Sequence, residues 1–360
     1  MSPLLTQSGH CVAVGPSTRP LPKRTQELLP FSRPSLAMRR REFIRLFAGM
    51  AVAWPIASRA QQPAVPVIGI LWSGVAAPAP PRMEAFREGL SKSGFVDGRN
   101  VAIELRFARA GLHQLPELAA DLVRLKVDVI LASGDHAPRV AQQITETVPI
   151  VAFSDDILGA GLISTLSRPG GNMTGLTILS PELSVKRLEV LGEIKPGISR
   201  VAVLWDSTTG KSQVQLTENA ARGLGIKLQV LEVRDAGDLD KAFLAAQREQ
   251  AEALNVFASP FLASLYRDII KLAAEHRLPA IYQWKEHAQA GGLVSYGPGL
   301  ADLWGQAATI VAKVLRGAKP ADLPVEQPTR FEFVLNASTA KSLNLTISAA
   351  TLLRADELIE

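Results

Sequence analysis

From Val65 onward, short runs of apolar and β-branched residues alternate with stretches of helical periodicity, and this alternation runs through the chain twice. The first pass opens with Val67-Ile68-Gly69-Ile70-Leu71-Trp72, then predicts a helix over 83–93 closed by Gly94 and a strand over 101–107. A second helix follows, with Leu115, Leu118, Ala119 and Leu122 at i, i+3, i+4 and i+7 and Pro116 in its first turn. A strand over 127–132, a helix over 137–145 and a strand over 149–153 complete the pass. These strands are apolar throughout rather than at every second residue, so both faces are covered, as in a parallel sheet between helix layers.

The turn cluster Arg168-Pro169-Gly170-Gly171-Asn172 interrupts the pattern, and Ser180-Pro181 opens a helix ended by Lys195-Pro196-Gly197. The alternation then restarts, with strands over 200–205, 226–233, 253–258, 279–283 and 292–296 and helices over 211–224, from Asp238, and over 261–276. A chain of 360 residues, 47% of them hydrophobic, has the material for two such lobes. The expected fold class is α/β, two Rossmann-like lobes with parallel sheets. Their opening strands echo each other, ending in Trp72-Ser73 and in Trp205-Asp206-Ser207. Ligands of open α/β sheets bind outside the carboxyl ends of the strands, so the echo predicts two aromatic rings facing one cleft.

A net charge of +5 invites a nucleic-acid reading, which the placement of the charges removes. Nine of the 39 Lys and Arg, but only two of the 34 Asp and Glu, lie in residues 1–60, leaving a slightly acidic body with no basic stripe. The basic segment contains Met38-Arg39-Arg40-Arg41-Glu42-Phe43-Ile44-Arg45, then an apolar run from Leu46 to Ala57, then Ser58-Arg59-Ala60-Gln61. That order is a signal peptide, too short in its apolar run to anchor in a membrane and expected to leave a mature chain starting at Gln61. Arg40-Arg41-Glu42-Phe43-Ile44 resembles the twin-arginine signature, with Arg39 in place of the usual Ser or Thr, and a general secretion signal is the alternative. Residues 1–37 are rich in proline and read as a leader outside the native protein, with translation expected from Met38. The only cysteine, Cys11, lies in that leader, so disulfides, thiol chemistry and a lipid-anchored cysteine are not expected of the mature protein.

Chemical motifs are few. Gly210-Lys211-Ser212 resembles the end of a P-loop, but Trp205 stands where the loop needs a glycine. No G-x-G-x-x-G follows a strand, and the histidines of the body (His113, His136, His276, His287) lack metal-ligand spacing. His136 follows a strand and is in reach of a ligand; the other three are expected at the surface. Asp155-Asp156 at a strand terminus suits an N-cap or an ammonium site. No catalytic residue, metal or cofactor is expected.

Three stretches carry a family resemblance: Arg168-Pro169-Gly170-Gly171-Asn172-Met173-Thr174-Gly175, Gly291-Gly292-Leu293-Val294-Ser295-Tyr296-Gly297-Pro298, and the run from Leu315 through Gln327-Pro328 to Phe331-Glu332-Phe333-Val334-Leu335-Asn336. After Gln62 the chain resembles the periplasmic substrate-binding proteins of ABC transporters with the type I fold, in the branch related to aromatic amino acid binders. The resemblance implies a chain that crosses between lobes three times, with residues 63–179 and 298–326 in one lobe and 180–297 and 327–360 in the other. It also implies that Trp72, Ser73, Ser133, Asp135, Asp155, Asp156 and Asn172 line the cleft from the first lobe. Asp206, Ser207, Ser259, Tyr282 and Tyr296 are implied to line it from the second lobe and crossover. Asp206-Ser207-Thr208-Thr209 replaces a common Asn-Pro turn, and Leu303-Trp304-Gly305 replaces Leu-Tyr-Arg.

The expected function is capture of a small molecule, an amino acid or small carboxylate, by an exported periplasmic monomer that hands it to ABC permease subunits. The carboxylate is expected at the start of the helix after Ser133-Gly134-Asp135, with Asp135 turned outward as its cap. Asp155, Asp156 or Asp206 would meet an ammonium, and Trp72, Trp205 or Tyr296 would cover the side chain. A sensing subunit for a membrane signalling partner shares this fold and site, and an enzyme on the same fold is the third class.

Overall fold

The computed structural model describes residues 65–74 and 80–360. The leader, the signal segment and the expected start at Gln61 lie outside them. The chain builds two parallel sheets of one design. In the first, β1 (Val67–Trp72), β2 (Ala102–Phe107), β3 (Val129–Ser133), β4 (Ile150–Ser154) and β5 (Met173–Thr177) lie in the order β2-β1-β3-β4-β5, all parallel. In the second, β6 (Arg200–Asp206), β7 (Lys227–Val233), β8 (Ala253–Val256), β9 (Ala280–Tyr282) and β10 (Val294–Pro298) repeat that order as β7-β6-β8-β9-β10. Beyond β10 the sheet is extended by an antiparallel strand, β11 (Phe331–Asn336), and then β12 (Glu357–Ile359).

Helices cover both faces. On the first sheet these are α1 (Pro80–Lys92), α2 (Leu115–Arg124) and α3 (His136–Ile144), whose Leu115, Ala119 and Leu122 or Ala137 and Ala141 are buried. The second lobe carries α4 (Ser180–Ile194), α5 (Ser212–Gly223), α6 (Asp238–Arg248), α7 (Pro260–Ser264), α8 (Tyr266–Glu275) and α9 (Lys285–Gln289). The helix expected over 261–276 is two, broken at Leu265.

Three connections join the lobes. The chain leaves the first sheet after Thr177, through Leu179 in the left-handed region (φ 60°), and enters α4. It returns after Pro298 as α10 (Leu300–Leu315), whose Leu303, Trp304, Ala307 and Val311 pack with Met83, Phe86 and Leu90 of α1 in the first lobe's core. It departs again after a tight helical turn at Pro320–Asp322 to reach β11. There Glu326 bridges to Leu176: its amide donates to the Gly175 carbonyl at 2.9 Å, and its carbonyl accepts from the Thr177 amide at 3.0 Å. The chain closes with α11 (Ala337–Ser342), which packs beside β12, and α12 (Ala349–Arg354).

Candidate functional site

In the order 2-1-3-4-5 the connections leave β1 and β3 in opposite directions, which opens a crevice outside their carboxyl ends. The same holds at β6 and β8, and the two crevices meet. Between them lies a cavity of 460 Å³, lined by Ser73, Asp135 and His136 from one lobe and by Asp206, Thr208 and Phe261 from the other. That volume is in the range that encloses a small molecule. Deeper in lies a chamber of 30 Å³ lined by Trp72, Arg82, Ser133, Asp155 and Trp304 with Ser259, Gln283 and Trp284. Pro260 lines both spaces, and a Cβ on Gly134 (φ +81°) would stand 2.8 Å from its ring, so only glycine allows this approach. The His136 Nε2–H donates to the Thr208 carbonyl, a second tie across the cleft.

Buried hydroxyls hold the lining in place. Ser73 Oγ donates to the Ser133 carbonyl at 2.7 Å and accepts from the Ala137 amide at 3.3 Å, fastening β1 to the start of α3. Asp135 has the N-cap position of α3 but does not cap it: its carboxylate accepts from Ser154 Oγ at 2.6 Å and from the Asp155 amide at 3.1 Å. This corrects the expected outward turn, and it leaves a carboxylate beside the helix start where the sequence suggested an anion site. Asp155 is 5% exposed and accepts from Ser180 Oγ at 3.2 Å. Burial, helped by the charge of Asp135, pushes its carboxyl up to about 8. On the facing lobe, Asp206 Oδ1 accepts from the Thr208 amide at 3.0 Å and from its hydroxyl at 2.6 Å. Ser259 Oγ caps α7 through the Leu262 amide at 2.9 Å.

Trp72, Ser73, Ser133, Asp135, Asp155, Asp206 and Ser259 are thus brought together, and five other residues that the sequence suggested are not. Asp156 accepts from the Gly159 amide at 2.8 Å in a local turn and lines neither space. Asn172 sits at the amino end of β5, where its Nδ2 donates to the Thr145 and Val148 carbonyls, at the opposite edge of the sheet from the cleft. Ser207 Oγ accepts from Arg234 Nε at 3.2 Å and stays outside the lining. Tyr282 is buried in the second lobe's core, its ring edge-on to His287 at 5.7 Å. Tyr296 stacks on Phe331 at 6.1 Å, because β10 pairs with β11 on that side.

The Trp205 ring is also withdrawn, packing with Val203, Val214 and Phe257 while Nε1 donates to Thr209 Oγ1 at 3.2 Å. His287, expected at the surface, is buried and stacked on Tyr266 at 4.9 Å; burial, with the charge of Arg82 adding, pushes it down to about 3. Arg82, Phe261, Gln283, Trp284 and Trp304 line the cleft without having been singled out for it from the sequence. A signal existed for two of them. Trp304 falls in the apolar stripe Leu300, Leu303, Ala307, Val311, and Arg82 is a cation in a first helical turn that holds no acid.

Residues 80–359 match the model of the family described as ABC transporter substrate binding protein. The chain belongs to that family. A curated relative, the tyrosine-binding protein of Clostridioides difficile (strain R20291), is 24% identical over 266 residues, which is 73% of this chain and 76% of the relative. Among solved structures, an ABC domain from Streptococcus pneumonia in complex with L-Trp superposes with a TM-score of 0.75 at 23% identity, over 82% of this chain and 99% of that one. A ligand-free, open substrate binding protein from Clostridium difficile gives 0.59 at 22% identity, with the same coverage. The fold is that of the type I periplasmic binding proteins. Among the described residues no helix is long and apolar enough to cross a membrane.

Proposed function

We propose that this substrate-binding protein is an exported, periplasmic monomer that takes up an amino acid between its lobes and presents it to the permease subunits of an ABC importer. The observation that carries the reading is the 460 Å³ cavity, which both lobes line with carboxylates, Asp135 and Asp206, beside the apolar faces of Leu112, Phe261 and Leu265. An ammonium suits the carboxylates and an apolar or aromatic side chain suits those apolar faces, while the receptor closes because both halves contribute to one ligand. The tyrosine and tryptophan in the names of the relatives favour an aromatic amino acid.

Calorimetric titration with L-tyrosine, L-tryptophan, L-phenylalanine and L-leucine tests it. Saturable binding is expected, with Asp206→Asn weakening the bound amino acid about 10-fold or more through loss of a charge-assisted contact. A wild-type chain that ignores all four, or an Asp206→Asn variant that binds as tightly, removes the ligand class or the site.

A further inference from the structure

The inner chamber has a chemistry of its own. Arg82 stands in the first turn of α1, where a cation opposes the positive end of the helix dipole, and among the described residues it makes neither a hydrogen bond nor an ion pair. Its guanidinium instead lies 5.5 Å over the Trp72 ring, partly withdrawn from water, and this desolvation lowers its pKa. Gln283 is 5% exposed, and among the described residues its buried Nε2 donor has no partner. The Trp304 indole N–H, in another residue lining the chamber, is likewise unpartnered. The one carboxyl in the lining, Asp155, holds its proton near neutral pH. Donors therefore outnumber acceptors around a space of 30 Å³, where about 10–15 Å³ suffices for one water. Buried donors that find no acceptor are costly, and a local rule broken without compensation marks a functional position.

We propose that this chamber is a carboxylate subsite, in which the Arg82 guanidinium and the Gln283 amide receive the ligand's carboxylate while its apolar body extends into the outer cavity. The proposal rests on the reading that the cleft takes a small organic molecule, and it places the anion at Arg82 rather than at the start of α3, where Asp135 stands. The competing role for Arg82 is a latch between lobes. Glu286 of α9 is the acid that draws on it, from beyond ion-pair distance, and Glu286 Oε2 is itself buried without a partner.

The test compares acids with their amides, L-tyrosine with L-tyrosinamide and 3-phenylpropionate with 3-phenylpropionamide, by calorimetry. Wild type is expected to prefer the acid of each pair by about 100-fold, since the amide removes a charge and one acceptor. Arg82→Gln abolishes that preference, Arg82→Lys restores part of it, and Glu286→Gln leaves it in place. Gln283→Leu weakens the acid and spares the amide, which keeps the test open if the Arg82 variants do not fold. The subsite is overturned if Arg82→Gln still discriminates, if Glu286→Gln loses binding as Arg82→Gln does, or if wild type binds neither acid. Amino acid binding that survives with undiminished discrimination in Arg82→Gln sinks the subsite alone. Arg82-dependent binding of 3-phenylpropionate without any amino acid binding sinks the amino acid reading and supports the subsite.

Discussion

Asp155 bears a heavy electrostatic cost in the cleft. It is withdrawn from water, faces the charge of Asp135, and has only the Ser180 hydroxyl and the distant Arg187 in compensation. An unfolded aspartate loses its proton near about 4, whereas this one does so near about 8. Between those values the unfolded chain is the more readily ionised, so the folded protein loses stability as pH rises through the interval and carries the full penalty above it. Asp155→Asn keeps the acceptor for Ser180 and removes the titration, and is expected to be more stable than wild type at pH 9 by on the order of 3 kcal/mol. Urea unfolding at pH 5 and pH 9 measures this; equal pH dependence in both proteins would contradict the assignment. At this scale a motif alone misleads, as Asn172 shows: it lies within a family-like run, yet it ties down the loop before β4. Sequence order cannot tell a residue that touches ligand from one that holds the strand beside it.

Among elements, three strands escaped the apolar pattern: β11, β12 and, most tellingly, β5. Its sequence Met-Thr-Gly-Leu-Thr breaks the hydrophobic run, and the reason is the close packing of its backbone. A Cβ on Gly175 would stand 1.9 Å from the Ala152 carbonyl oxygen of β4, and the Gly175 carbonyl accepts the Glu326 amide from the crossover on its other side. Gly175→Ala must therefore push β5 off β4 and is expected to cost about 3 kcal/mol or more, an effect of the size reserved for backbone clashes. Thermal unfolding checks it, and a melting temperature within a degree of wild type would show that the strand can yield. The helices were easier to read. Leu115, Ala119 and Leu122 face the core as their spacing demands, while α7 and α8 part at Leu265 because Ser259 caps a short helix rather than starting a long one.

For the whole molecule, the lobes meet through a few groups: Gly134 against Pro260, His136 on the Thr208 carbonyl, and Trp284, which leaves β9 to join the first lobe's apolar cluster. The hinge is firmer. Arg187 is fully buried at it and donates to the Tyr296 carbonyl at 3.3 Å and to Ser184 Oγ at 2.9 Å. Sparse contacts across the cleft and a well-bonded hinge make opening a rotation of rigid lobes. Small-angle scattering is expected to show a smaller radius of gyration with saturating L-tyrosine or L-tryptophan than without. An identical profile in both states, with binding confirmed by calorimetry, removes the clamshell motion.

The sequence by itself determined the two-lobed α/β design, because strand and helix periods are local and survive in any context. It also placed Trp72, Ser73, Ser133, Asp155 and Asp206 at strand ends, where the crevice of an open sheet must lie. Which of them face the cleft was decided by the tertiary structure. The pairing of β10 with β11 turned Tyr296 onto Phe331, the packing of β9 sent Tyr282 into the core, and the return of α10 brought Trp304 beside Trp72 at 5.9 Å. Arg82 meets Gln283 across 201 positions of sequence only when two lobes close on each other. No local pattern records that distance.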